Sequence, residues 1–315
     1  MEAALTLPEH REFESVAITF CLMTLNRTPW LKRSLDSIRD HCPVRYYVKV
    51  LCQGRPEAEL VAYFEALNDN CIELIVSPVN IGTGGGRRFL AGQVGTSFTM
   101  MMDDDMCLTE NSIEQAMKVF RGNPEIGAIS MPQYDDGGRL LSFGGRILTV
   151  KNGVVSRQRP TMSDSEFIEV NDLDGGAMLY RTEMRREFTW DARFRNAFDD
   201  LDKSLQITKS GKWKQVILPK GRLIHDRSWL GRNPAYQKRR VDTFAWRRQY
   251  RVLRMKWKLR LDMKSHVLFE LVYPTLAVIR SNLPMTLLGR FFQMREGKRG
   301  SRLLRSSRAI DLEGG

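Results

Sequence analysis

Apolar residues gather into five short runs over the first 131 positions, and a stretch with helical spacing or a glycine-rich turn follows each of the first four. Val16 to Leu25 is a continuous apolar run, as expected of a strand buried on both faces. Pro29 then opens a helix whose inner face is Leu31, Leu35 and Ile38. Tyr46 to Cys52 reads as the second strand, broken by Gly54 and Pro56. Glu57 to Leu67 reads as a helix through Leu60, Phe64 and Leu67, and Ile72 to Val76 as the third strand. Asn80 to Gly86 is a glycine-rich turn, and Arg87 to Val94 fits a helix. Ser97 to Met102 is the fourth strand, ending on Asp103, Asp104 and Asp105; Ile113 to Phe120 is helical and Ile126 to Met131 is the fifth strand.

Strands alternating with helices imply an α/β fold with a mostly parallel sheet and flanking helices. In such sheets ligands sit at the carboxyl ends of the strands. That rule lines up Thr24 to Arg27, Gln53, Asn80 to Gly86 and Asp103 to Asp105 along one edge. After Pro132 the pattern becomes hairpin-like, with turn signals at Asp136-Gly137-Gly138 and Asn152-Gly153. Ala177 to Arg181 can re-enter the sheet, Asp200 to Lys209 has helical spacing stopped by Gly211, and Gln215 to Leu218 is a short strand. Beyond His225, Tyr236 to Arg260 and Val267 to Phe292 read as helices. The expected organisation is a tail over 1–14, an α/β domain over 15–229 and a basic, amphipathic helical region over 230–315.

Charge sharpens this division. The 315 residues carry a formal net charge of +12, yet Arg227 to Arg260 holds twelve Lys and Arg against Asp242 alone. Arg290 to Arg308 adds seven against Glu296, so the rest of the chain is net acidic. At 42% hydrophobic and 27% charged residues, wholesale disorder is excluded. The five cysteines, Cys21, Cys42, Cys52, Cys71 and Cys107, show no zinc-ligand spacing and read as reduced thiols of a cytoplasmic protein. The acidic N-terminus lacks the apolar stretch of a signal peptide. Val267 to Ile279 is too short and too interrupted, by Glu270 and Pro274, to cross a bilayer of about 20 apolar residues' span.

Three features carry candidate chemistry. Adjacent carboxylates at Asp103, Asp104 and Asp105 repel one another unless cations or donors compensate. They read either as a solvated turn or as a divalent-cation site, with Asp103 and Asp105 pointing the same way. The glycines from Gly82 to Gly86 allow close backbone approach, but lack the Gly-Lys-Ser/Thr ending of a P-loop and follow the third strand rather than the first. Arg87 and Arg88 at a helix start oppose the helix dipole, a cost better explained by a nearby diphosphate. Asp199, Asp200 and Asp202 open a helix, where acids are stabilising in any protein; the functional alternative makes Asp200 a general base. His225 is a lone histidine, a structural residue or a metal ligand.

Taken in order, Thr24-Leu25-Asn26-Arg27, Asn80 to Arg87, Met102 to Asp105, Phe198 to Asp202 and His225 resemble glycosyltransferase family 2 of the GT-A fold. The forms Met-Asp-Asp-Asp and Asp-Asp-x-Asp look most like its galactofuranosyl- and rhamnosyltransferase-like branch. The resemblance implies a Rossmann-like sheet and a UDP- or dTDP-sugar donor. It implies that Thr24, Asn26, Arg27, Gln53, Asn80, Gly82, Gly85, Arg87 and Asp104 bind the nucleotide sugar. Asp103, Asp105 and His225 would hold Mn²⁺ or Mg²⁺, and Gly176, Asp199 and Trp229 would face the acceptor. Asp200 matches the base of an inverting transfer. One departure is Gln53-Gly54, where many members have Asp after the second strand.

The basic C-terminal region interleaves Arg239, Arg240, Arg247, Arg248, Arg251 and Arg254 with Phe244, Trp246, Tyr250, Leu253 and Trp257. That combination suits an anionic membrane surface, and with it a lipid-linked glycan or glycolipid acceptor at the cytoplasmic face of the cell membrane. Its alternatives are a basic helix packed on the acidic body, and a nucleic-acid acceptor such as a modified DNA base. A non-catalytic binding or scaffold protein on the same fold is a further alternative, opposed by the complete set of acids.

Overall fold

The computed structural model describes residues 17–67, 69–151, 154–228 and 243–259. The chain divides into two compact units, one of residues 1–227 with 248–260, the other of 228–247 with 261–315. The first unit thus takes in 248–260, which the sequence reading assigns to the C-terminal region. The expectations for 1–14, for Trp229 and for the helix over 267–292 lie outside the described residues.

The first half alternates as its pattern predicts: β1 (Ile18–Thr24), α1 (Thr28–His41), β2 (Tyr46–Gln53), α2 (Ala58–Leu67), β3 (Ile72–Ser77), α3 (Gly82–Gly92) and β4 (Phe98–Asp103). A short β5 (Met106–Leu108) precedes α4 (Ser112–Gly122) and β6 (Ile126–Ser130). Hairpin-like strands follow: β7 (Gln133–Tyr134), β8 (Leu140–Ser142), β9 (Gly145–Lys151), β10 (Val154–Gln158), β11 (Ile168–Val170) and β12 (Asp172–Leu173). Then come β13 (Ala177–Arg181), a 3₁₀ turn (Thr182–Arg186), α5 (Asp199–Ser210), β14 (Lys214–Ile217), β15 (Leu223–His225) and α6 (Thr243–Trp257).

The main sheet has eight strands in the order β11-β14-β6-β13-β4-β1-β2-β3. Strands β4, β1, β2 and β3 run parallel, and β14 runs parallel to β6. Strand β13 enters antiparallel between β4 and β6, so the expected return of Ala177 to Arg181 lands in the sheet's middle. β1 is buried along nearly its whole length because α1 and α3 cover opposite faces, which accounts for its unbroken apolar run. On one face Leu31, Leu35 and Ile38 of α1 pack with Ile18, Phe20 and Leu22. On the other, Leu90 of α3 packs with Cys21, Leu51 and Trp190.

Parallel register puts the carboxyl ends of β1, β2, β3 and β4 at one edge: Thr24 faces Cys52, Gln53 faces Ser77 and Met23 faces Asp103. A second, four-stranded sheet in the order β5-β15-β7-β8 continues beyond that edge. In it His225 lies opposite Met106, directly after the three acids. Among the described residues no helix is long and apolar enough to cross a membrane.

Candidate active site

The glycine stretch is the first departure from the sequence reading. It forms the opening turns of α3, not a turn ahead of it. Glycine disfavours helix by about 1 kcal/mol relative to alanine, so a reason is needed, and the 191–195 segment supplies it. A Cβ on Gly82 would stand 2.6 Å from the Arg195 Cα, and one on Gly84 would overlap the Asp191 carbonyl oxygen. The N–H groups of Thr83 and Gly84, left over at a helix start, donate to the Arg195 and Phe194 carbonyls at 2.9 and 2.8 Å. This helix end spends those donors on the protein's own backbone. Gly82 φ is +81°, and Asn80 Oδ1 accepts its N–H at 2.8 Å. Gly85 faces Ile81 and Ala192 side chains. Packing within the chain thus requires glycine at 82, whereas at Gly85 an added Cβ meets only side chains, at 3.3 Å and beyond.

Two arginines organise the acids. Arg27, just before α1, is buried and grips two of them: Nε and Nη2 bond both oxygens of Asp104, and Nη1 reaches Asp105 Oδ2 at 2.9 Å. Thr24 Oγ1 accepts the Arg27 N–H at 3.3 Å. Burial pushes the Asp104 carboxyl above its ordinary range, and Arg27 opposes that rise. Ser34 Oγ contacts the carbonyls of Asp104 and Met106 at 3.0 and 2.6 Å, which fixes the turn.

Arg87, also buried, sits one helical turn into α3. Its Nη2 reaches Asp103 Oδ1 at 3.0 Å and the Gly175 carbonyl at 2.6 Å, and Nη1 reaches Asp199 Oδ2 at 2.7 Å. Its guanidinium lies over the Trp190 ring at 5.1 Å. Burial works against the Arg87 charge, but Asp199, Asp103 and Asp200 outweigh it and raise its pKa above the ordinary arginine value. The cost of a cation at a helix start is therefore met by carboxylates, where the sequence reading looked to a diphosphate. Asp199, assigned to the acceptor, is buried on Arg87 and Thr83 Oγ1, the latter at 3.2 Å; burial raises its pKa and Arg87 opposes the rise.

Asp200 is different. It is partly exposed, and its Oδ1 accepts the Leu201 N–H at 2.7 Å within the first turn of α5. A Cβ on Gly175 would stand 2.9 Å from the Asp200 Cβ, and one on Gly176 would stand 3.7 Å from Asp103 Oδ2. Gly175 thus leaves room for the Asp200 Cβ, and the neighbouring Gly176 for the Asp103 carboxylate. Gln133, which the sequence reading missed, stands beside Gly176 as well: its Nε2 is buried and lies 3.7 Å from that same position on Gly176. No local pattern marks Gln133, because β7 reaches the site only through pairing with β15.

The remaining predicted residues play local parts. Asn26, at φ 52°, donates from Nδ2 to the Arg55 carbonyl at 3.0 Å and accepts the Glu57 N–H at 3.1 Å. Gln53 Oε1 accepts the Ile81 N–H at 3.0 Å, tying β2 to the entry of α3.

The expected metal set is gathered only in part. His225 Nε2 lies 3.6 Å from Asp105 Oδ1, and the Asp226 N–H donates to the Asp105 carbonyl at 2.7 Å. Asp103, by contrast, is drawn to Arg87 on the α3 side. Among the described residues no three His, Cys, Asp or Glu side chains group as a metal site. The Asp105–His225 pair offers a carboxylate oxygen and an imidazole nitrogen, a donor set that fits a divalent cation.

The eight-stranded sheet, with its acids where β4 ends and a second carboxylate pair opening α5, is that of a GT-A glycosyltransferase. The chain belongs to glycosyl transferase family 2, whose family model matches residues 19–188. No curated protein sequence matches it. Similar solved structures include GalNAc-T7 with UDP, GalNAc and Mn²⁺, at 14% identity and TM-score 0.55 over 83% of this chain and 58% of that one. S. aureus TarS 1-349 is similar at 14% identity and TM-score 0.51, over 67% of this chain and 60% of that one. The same TarS fragment in complex with UDP aligns at TM-score 0.52 and 13% identity, over 74% and 64% of the two chains. The chain thus spans about three-fifths of the length of these structures.

Proposed function

We propose that this chain is an inverting glycosyltransferase that moves a sugar from a UDP- or dTDP-sugar to an acceptor hydroxyl, with Asp200 as base. The observation that carries the reading is the contrast between two adjacent acids. Asp199 is buried and committed to Arg87, whereas Asp200 is partly exposed and stands beside Gly175, the neighbour of the glycine that Asp103 approaches. A general base needs that access to the proton it takes. UDP in the GalNAc-T7 and TarS structures supports a uridine nucleotide.

In the transfer, Asp200 takes the acceptor hydroxyl's proton as that oxygen bonds to the anomeric carbon. The bond from that carbon to the diphosphate oxygen breaks, and the electron pair leaves with the nucleoside diphosphate. Single displacement inverts the centre. Asp105 and His225 would hold Mn²⁺ or Mg²⁺, which when bound neutralises the leaving diphosphate. Asp103, one-third exposed and held by Arg87, would accept a hydrogen bond from a sugar hydroxyl.

A lipid-linked glycan or glycolipid at the inner face of the cell membrane is the acceptor this reading favours. Its support is the outer face of α6, where Arg248, Arg251 and Met255 are exposed at helical spacing, with Lys258 exposed just past its end. Such a face suits anionic headgroups. Flotation with anionic liposomes that fails at every salt concentration, while DNA is bound, would turn the reading to a nucleic-acid acceptor. The base assignment is tested by Asp200→Asn, which keeps UDP binding and loses turnover; turnover near the wild-type rate overturns it.

A further inference from the structure

The first turn of α5 is held from outside. Asp202, in the same first turn as Asp199 and Asp200, has no exposed surface, yet its carboxylate is fully engaged. Oδ1 accepts the Trp257 Nε1–H at 2.8 Å; Oδ2 accepts from Lys256 Nζ at 2.8 Å and from Gln206 Nε2 at 2.9 Å. Lys256 Nζ also reaches Asp191 Oδ2 at 3.0 Å, in the segment that caps α3.

A second contact lies eight residues earlier on α6. Gln249 is buried, and its Oε1 accepts the N–H groups of Asn196 and Ala197 at 2.8 and 3.2 Å. Those residues lead into Phe198, which enters α5 at φ 67° with its ring 5.5 Å from that of Tyr250. Leu253 and Leu259 are buried with Phe194, Leu201 and Leu205. These hydrogen bonds, ion pairs and ring contacts thus fall on residues 191–202, the stretch that presents Asp199 and Asp200, while Lys209 lies over the Trp257 ring and Leu148 joins the apolar cluster.

We infer that residues 249–259 form a strap that sets the position of the catalytic turn, with Lys256 and Trp257 as positioning residues acting through Asp202 on Asp200. Asp200 and Asp202 share one helical turn, so a shift of Asp202 moves the base relative to Asp103. Misplacement of a reacting group by about 1 Å costs on the order of a hundredfold in rate. The inference rests on Asp200 as base. It also gives basic residues within the C-terminal region a task besides meeting an acceptor.

The test uses the full chain and UDP-sugar hydrolysis with Mn²⁺, water as acceptor and UDP release as readout. Lys256→Met and Trp257→Phe are expected to lower kcat about tenfold or more with the KM for UDP-sugar little changed. Lys256→Arg, which can still bond Asp202, is expected to restore most of the rate. Amide hydrogen exchange of 196–202 is expected to rise in Lys256→Met and Trp257→Phe. Folded variants with wild-type kcat overturn the strap, as does a lowered melting temperature with no change in kcat. Should Asp200→Asn hydrolyse normally, the base reading falls separately. Exchange at 196–202 then still decides the strap, and unchanged protection overturns it.

Discussion

Arg87 and Asp199 stand 112 residues apart in sequence and meet at 2.7 Å in a buried ion pair. Through the same guanidinium Asp199 is linked to Asp103, so one cation ties the end of β4 to the start of α5. Removing one partner of a buried pair leaves the other charge uncompensated, at a cost of about 3–5 kcal/mol. Arg87→Met is expected to lose stability on that scale, read as a lower urea midpoint. Arg87→Lys recovers only part, because a single ammonium cannot span both carboxylates. An unchanged midpoint in Arg87→Met would remove the pair from the account.

The glycines of α3 yield a paired prediction. Gly84→Ala drives a Cβ into the Asp191 carbonyl and is expected to cost about 1–3 kcal/mol. Gly92, at the end of the same helix, has no atom within 4 Å of an added Cβ. Gly92→Ala is expected to be neutral or to stabilise by about 0.4–1 kcal/mol. Equal melting temperatures for the two variants would deny the close approach of the 191–195 segment.

Lys203 is buried among Tyr180, Phe188 and Trp190, with Nζ donating to the Phe188 carbonyl at 2.6 Å. Burial pulls its pKa down from 10.5 to about 7, and Asp202 opposes the fall. Between those values the unfolded chain binds the extra proton, so this group makes stability rise with pH from about 7 to about 10. Lys203→Met lacks that dependence. The stability difference between wild type and Lys203→Met, measured by denaturant titration from pH 6 to 10, is expected to move in the wild type's favour as pH rises. A flat difference refutes the burial of a charge there.

In the proposed function Asp105 and His225 hold the divalent cation; they meet through the pairing of β15 with β5. His225→Ala and Asp105→Ala are expected to raise the Mn²⁺ concentration for half-maximal UDP-sugar hydrolysis by about tenfold or more, the scale on which even outer-shell partners act. Full turnover by the wild type in excess EDTA contradicts the role.

The strands and the acidic edge were legible because burial on both faces leaves an apolar run that composition alone reveals, as in β1. His225 was legible as a candidate because it follows a short strand, although only β-pairing puts it beside Asp105. What the glycines do was not legible, since the backbone they meet, at 191–195, lies more than a hundred residues away. Only the family resemblance divided Asp199 from Asp200 in the sequence. Adjacent acids in one helical turn look alike, and only the closure of Arg87 onto Asp199 leaves Asp200 accessible. The same limit applied to α6, for which sequence offered both a partner surface and packing on the acidic body; the bonds of Lys256 and Trp257 to Asp202 show the second for its inner face.

Slow hydrolysis needs no acceptor, so a panel of UDP- and dTDP-sugars with Mn²⁺, assayed on wild type and Asp200→Asn, reaches the central claim most directly. The account predicts release of nucleoside diphosphate from at least one member by the wild type, and binding without release by Asp200→Asn. Absence of both binding and hydrolysis for every member, with the wild-type chain folded, would contradict it.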